Sequence, residues 1–104
     1  MNEYKITLTP KAQTDLIEIN NYISYILLSP DTSKQFIKGL KKSISSLSFS
    51  PYRFPIIQNR YFQQLKIRCM PYKNYYIFYE IDELNLSVNV LRVGYNKRNW
   101  EKLF

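Results

Sequence analysis

Apolar and polar positions alternate from the start of the chain. Tyr4, Ile6 and Leu8 stand opposite Lys5 and Thr7, the period of a strand with one buried face. The alternation stops at Thr9 and Pro10, where a residue that avoids the α region precedes one suited to the first helical position, so Thr9 reads as an N-cap and Pro10 as a helix start. Ala12, Leu16, Ile19, Ile23 and Ile26 then recur in steps of three and four, predicting one apolar stripe that continues to about Leu28. Ser29 and Pro30 repeat the start signal. A second helix follows with Phe36, Leu40, Ile44 and Leu47 on its buried face and Lys34, Lys38 and Lys41 on another, ending at Ser50 and Pro51. So short a connection predicts an antiparallel helical hairpin.

From Pro51 to about Tyr61 the run PYRFPIIQNRY has two prolines and no clean period, which predicts an ordered loop. The period of two then returns: Leu65, Ile67 and Cys69 oppose Lys66, Arg68 and Met70, and Tyr75, Ile77, Tyr79 and Ile81 oppose Tyr76, Phe78 and Glu80. Turns at Pro71 to Asn74 and Asp82 to Asn85 suit hairpins, so the last three strands form an antiparallel meander, followed by a helical turn from Asn99 to Phe104. The expected fold is α+β, in the order β-α-α-β-β-β, with the N-terminal strand and helical hairpin packed on an antiparallel sheet.

Composition narrows the function classes. The 104 residues, 45% of them hydrophobic, suit one compact domain spanning 1–104, and ten Tyr with six Phe against two Gly argue against disorder. The net charge is +7 and uneven: residues 1–51 carry six basic and four acidic side chains, residues 52–104 nine and four. The sheet half is therefore the cationic half, attractive to RNA, DNA, a ribosome or an acidic protein segment, although a solvated surface produces the same count. Cys69, the single cysteine, excludes an internal disulfide and reads as a small core residue. The N-terminus has no apolar signal region and no run of eighteen apolar residues occurs, so a cytoplasmic protein without a membrane partner is expected. With no histidine and one cysteine, neither a metal nor another cofactor is expected.

Two stretches carry a family likeness. LTPKAQTDLIEINNYI, with its TP, A, DL and YI at fixed offsets, and YYIFYEID followed by VNVLRVGYNKRNW resemble the RelE/ParE superfamily of toxins from bacterial type II toxin–antitoxin modules, from Tyr4 to Leu103. The resemblance implies a growth-arresting toxin neutralised by a cognate protein antitoxin. RelE-like members cleave messenger RNA in the ribosomal A site, whereas ParE-like members poison DNA gyrase. By resemblance, Arg68 falls at the arginine that RelE-like toxins carry near the end of their second strand, and Lys97 or Arg98 near the one just beyond the last strand's Val93-Gly94. Both would stabilise phosphate charge. Where RelE-like toxins tend to place a catalytic tyrosine this chain has Trp100, so the acid or base would be Tyr95 or come from elsewhere.

Arg68, Tyr95, Lys97 and Arg98 thus form the candidate hydrolytic set, with Lys66 and Arg92 as nucleic-acid contacts, and this set favours ribosome-dependent cleavage of messenger RNA. The alternatives are a ParE-like gyrase poison, which the helical hairpin and the TP, DL and YI offsets resemble more closely, and a non-catalytic basic binding module. Each residue also has a purely structural reading. Arg68 can pair with Glu80 across adjacent strands. Arg92, sharing strand parity with Val88 and Val90, can be partly buried against a carboxylate or a carbonyl. Tyr95 can cover the core edge, and Trp100 can anchor the terminal turn. An acidic, amphipathic antitoxin segment is expected to mask Arg68, Lys97 and Arg98.

Overall fold

In the computed structural model, which describes residues 3–95, four strands form one mixed sheet in the order β1-β4-β3-β2. Strand β1 (Lys5–Leu8) leads through Thr9 into α1 (Pro10–Asn21), a π-helical turn (Tyr22–Ile26) and α2 (Pro30–Ser45). A short helix α3 (Arg60–Gln64) then precedes β2 (Arg68–Tyr72), β3 (Tyr75–Asp82) and β4 (Ser87–Tyr95). The expected meander is present, β2 to β3 to β4 antiparallel, while β1 joins the far side of β4 in parallel, Ile6 opposite Val88 and Leu8 opposite Val90. Lys97, Arg98, Trp100 and the terminal turn expected from Asn99 to Phe104 lie outside the described residues.

Thr9 does two things at the end of β1. Its hydroxyl accepts the Ala12 N–H at 3.1 Å, the N-cap expected for α1, and donates to the Leu91 carbonyl at 2.8 Å, which fastens the helix start to β4. Ser29 precedes α2 but makes no such side-chain bond. Ala12, Leu16, Ile19 and Ile23 are buried as the stripe predicts, and Ile26 is not, at 67% exposed. The π-helical turn is the reason. There the Leu27 N–H reaches back five residues to the Tyr22 carbonyl, and the wider turn rotates the residues after Ile23 off the buried face. Tyr25, Leu27 and Leu28 are consequently exposed at the hairpin tip.

The sheet is covered on both faces. Leu40, Ile44 and Leu47 of the helical layer pack with Met70, Ile77, Tyr79, Val88, Val90 and Val93, while Phe62, Ile67 and Phe78 form a second, smaller core on the opposite face. Alternation along β3 sends Ile77 and Tyr79 to one core and Phe78 to the other. The segment expected to be loop and strand supplies that second cover. Phe62 lies within α3, Lys66 turns the chain at φ 54°, and β2 therefore starts at Arg68, leaving Leu65 exposed outside the strand. Pro71, expected in the turn, lies within β2, an edge strand that tolerates a missing N–H, and the tight turn falls at Lys73 and Asn74.

A bulge re-aims the end of β4. Phe78 pairs with Arg92 but Tyr79 with Val90, so Leu91 is the extra residue. Leu91 accordingly packs on the second core and Val93 returns to the first. Arg92 therefore does not share the parity of Val88 and Val90, contrary to the regular alternation expected from the sequence.

Candidate functional site

Two clusters of polar and aromatic side chains flank the ends of the sheet. The first gathers round Arg68, whose guanidinium donates to the Phe54 carbonyl at 2.7 Å and lies over the Tyr52 ring at 4.9 Å. Pairing with Glu80 does not occur: Arg68 faces Tyr79, and the Glu80 carboxylate instead accepts from Asn89 at 3.3 Å. Tyr52 in turn donates to Glu83 at 2.7 Å, and Tyr4 donates to the same carboxylate oxygen at 2.5 Å. The Tyr79 hydroxyl, fully buried, donates to the Pro51 carbonyl at 2.7 Å and ties down the 51–54 segment on which Arg68 rests.

These contacts shift protonation. Hydrogen bonds from Tyr4 and Tyr52 hold the Glu83 carboxyl below its ordinary 4.5. The bond to Glu83, reinforced by desolvation, pushes the Tyr4 phenol up from 10.0 to about 12. Burial does the same to Tyr79, to about 12, against the opposing charges of Arg68 and Arg53. Because the Glu83 shift is downward, its contribution to stability is present above the unfolded carboxyl range and is lost as pH falls through the lower folded value. The Tyr4 shift is upward, so its contribution is present below pH 10 and is lost as pH rises toward 12. Urea midpoints of the wild type should therefore fall more steeply than those of Glu83→Gln between pH 5 and pH 3; parallel curves would remove this link.

The second cluster is built at the open edge of β4. After Leu8 strand β1 leaves the sheet, and Asp15 of α1 takes its place: its Oδ2 accepts the Val93 N–H at 2.9 Å, a ladder donor that no strand meets. The same carboxylate binds Arg92 through both oxygens, at 2.8 and 2.9 Å. That bond is the main reason the Arg92 guanidinium is held above its ordinary value, with desolvation opposing it. Arg92 thus makes the pairing with a carboxylate that its structural reading allows. Asp15 was not singled out in the sequence, although a carboxylate three residues after Ala12 and one before Leu16, on an apolar stripe, is the signal that marks it.

Beside this ion pair lies a cleft of about 740 Å³ between α1, the π-helical turn and the end of β4, with Glu18, Tyr22, Tyr75 and Tyr95 on its walls. Tyr95 is 60% exposed and meets Tyr75 edge to face, ring centroids 5.2 Å apart, and Tyr75 meets Phe36 in the same way. Burial raises the Tyr75 phenol above 10.0, which leaves it protonated at neutral pH.

Among the described residues, the candidates Lys66, Arg68 and Tyr95 are not drawn into one site. Arg68 sits on the Tyr79 row of the sheet and Tyr95 on the Tyr75 row, with β3 between their strands. Strand rise and spacing put their backbones roughly 16 Å apart. Lys66 is exposed in the turn before β2, away from Tyr95. Among the described residues no three Cys, Asp or Glu converge to hold a metal ion, and no helix is long and apolar enough to cross a membrane.

The chain matches, over residues 6–100, the model of the family described as ParE toxin of the type II toxin–antitoxin system parDE. In structure it is similar to a chain of the chromosomal ParDE system of P. aeruginosa, with TM-score 0.75 and 12% identity over 91% of this chain and 98% of that one. It is also similar to the RelBE2 complex of Mycobacterium tuberculosis, with TM-score 0.67 and 18% identity over 92% and 94%. The intact RelBE complex of E. coli gives TM-score 0.56 and 14% identity over 91% and 99%. No curated protein sequence matches it. At these identities the structural likeness is one of fold.

Proposed function

Because the chain belongs to the ParE toxin family of type II toxin–antitoxin systems, we propose that it arrests growth as ParE-like toxins do, by acting on DNA gyrase, and not by cutting messenger RNA. One observation carries the choice: Arg68 and Tyr95 stand at different ends of the sheet, and Arg68 is held by the Phe54 carbonyl and the Tyr52 ring. Hydrolysis by 2′-hydroxyl attack needs a base, a charge stabiliser and an acid converging on one phosphate. Arg92, which lines the same cleft as Tyr95, is already paired with Asp15. The chain's partner on this reading is a cognate antitoxin, and a net charge of +7 suits one that presents an acidic segment.

The test is to express the chain and follow DNA supercoiling and ribosome-dependent transcript cleavage separately. Inhibited supercoiling with gyrase-linked DNA breaks and intact transcripts is the expected result. Cleaved transcripts with normal supercoiling would overturn it and return catalysis to Tyr95, Lys97 and Arg98. Arg98→Ala should then slow cleavage by about 10-fold to 1,000-fold, the usual effect of removing one stabiliser of a charged transition state. Neither effect would leave a binding module.

A further inference from the structure

The cleft beside β4 has the opposite electrical character from the protein around it. The chain carries +7, yet among the described residues the charged side chains lining the cleft are Asp15, Glu18 and Arg92, two carboxylates to one guanidinium. Asp15 is occupied on both oxygens by Arg92 and the Val93 N–H. Glu18, almost one helical turn on, is exposed, and its carboxylate lies close enough to Arg92 to help keep it charged. Among the described residues the cleft therefore carries one carboxylate more than it has cations.

Around that charge stand aromatic rings. Tyr22, four residues after Glu18 and so on the same helical flank, is 50% exposed; Tyr95 faces solvent across the cleft, with Tyr75 against it. Aromatic faces and a carboxylate converging on one cleft attract a cation, through the ring quadrupole and the direct charge. Leu27, exposed at the mouth, offers an apolar surface for an aliphatic stem. A phosphate or another carboxylate would be repelled. A planar guanidinium fits better than an ammonium, since it stacks on tyrosine and is more weakly hydrated.

We propose that this cleft binds an arginine side chain presented by a partner protein, with Glu18 as its counter-charge and Tyr22 and Tyr95 as its stacking walls. This does not depend on whether gyrase or the ribosome is the target. It also sets the cleft apart from the basic surface expected to meet an acidic segment: the same molecule would accept a partner of mixed charge, with one arginine placed among acidic residues.

N-acetyl-arginine amide, titrated into the isotopically labelled full chain, tests the proposal by its effect on amide resonances. Shifts should localise to Glu18, Tyr22 and the Val93 to Tyr95 stretch. N-acetyl-citrulline amide, the neutral isostere, should bind at least about 5-fold more weakly. Glu18→Gln and Tyr22→Leu, both at exposed positions that leave the core intact, should each weaken arginine binding by about 2-fold to 5-fold. Equal binding of arginine and citrulline, or wild-type affinity in Glu18→Gln, would overturn the assignment. So would binding that emerges only after Lys97 and Arg98 are both changed to Ala, because the occupant would then be the chain's own terminal segment.

Discussion

Phe78→Ala should lower the free energy of unfolding by about 3–5 kcal/mol, the cost of emptying a buried aromatic site that relaxes only in part. Phe78 is fully buried at the centre of the second core, its ring 6.3 Å from that of Phe62 and nearly parallel to it, with Ile67 completing the cluster. The loss should appear as a lower urea midpoint with an unchanged denaturant slope. Leu84→Ala is the matching control: Leu84 is 97% exposed in the β3 to β4 turn and should change stability by less than about 0.5 kcal/mol. A Phe78→Ala cost below about 1 kcal/mol would mean that the face opposite the helices is not a core.

Asp15→Ala should cost about 2–4 kcal/mol, which in a chain of this size is a fall in melting temperature of roughly 10–25 °C. Two losses combine. The Val93 N–H is left without its acceptor at the edge of β4, and the Arg92 guanidinium loses its bidentate partner in a setting where its side chain is 19% exposed and that of Asp15 8%. The estimate lies below the value for a fully buried pair because water still reaches Arg92. Asp15→Asn should cost less, since an amide oxygen can still accept from Val93. Asp15→Leu combined with Arg92→Leu should recover part of the loss, because apolar replacement of both partners removes the unpaired charge. Additive costs from the two leucine substitutions would show that the residues do not act as a pair. The same pair holds the wall from Arg92 to Tyr95 against α1, so Asp15→Ala should also disturb the cleft.

The two carboxylates of that cleft differ in how much of their role is local. Asp15 is recognisable as an anomaly in a helix pattern, a charge where an apolar residue is expected. Its partners lie 77 and 78 positions away, and nothing local names them. Glu18 looks like any solvated helix residue. Only the approach of β4 to α1 sets it opposite Tyr95.

Nearest neighbours and short periods along the chain dictate the first strand, the Thr9 cap with Pro10 behind it, the buried positions of α1 through Ile23, and the order of the antiparallel meander. Periodicity of two or 3.6 is a local property, and so is the refusal of the residue before a proline to be helical. The tertiary structure decided the rest. Whether β1 pairs in parallel with β4, whether the second face of the sheet is wet or covered, and whether a strand carries one extra residue all depend on hydrogen bonds and contacts made across the chain. The π-helical turn rotated Ile26 out of its stripe, and the bulge at Leu91 moved Arg92 out of step with Val88 and Val90. A shift of one residue rotates the next side chains off the core in a helix and reverses their faces in a strand, so a regular period read along the sequence misplaces the positions that follow within the same element. The separation of Arg68 from Tyr95 follows in the same way, since strand register alone fixes which residues share a row of the sheet.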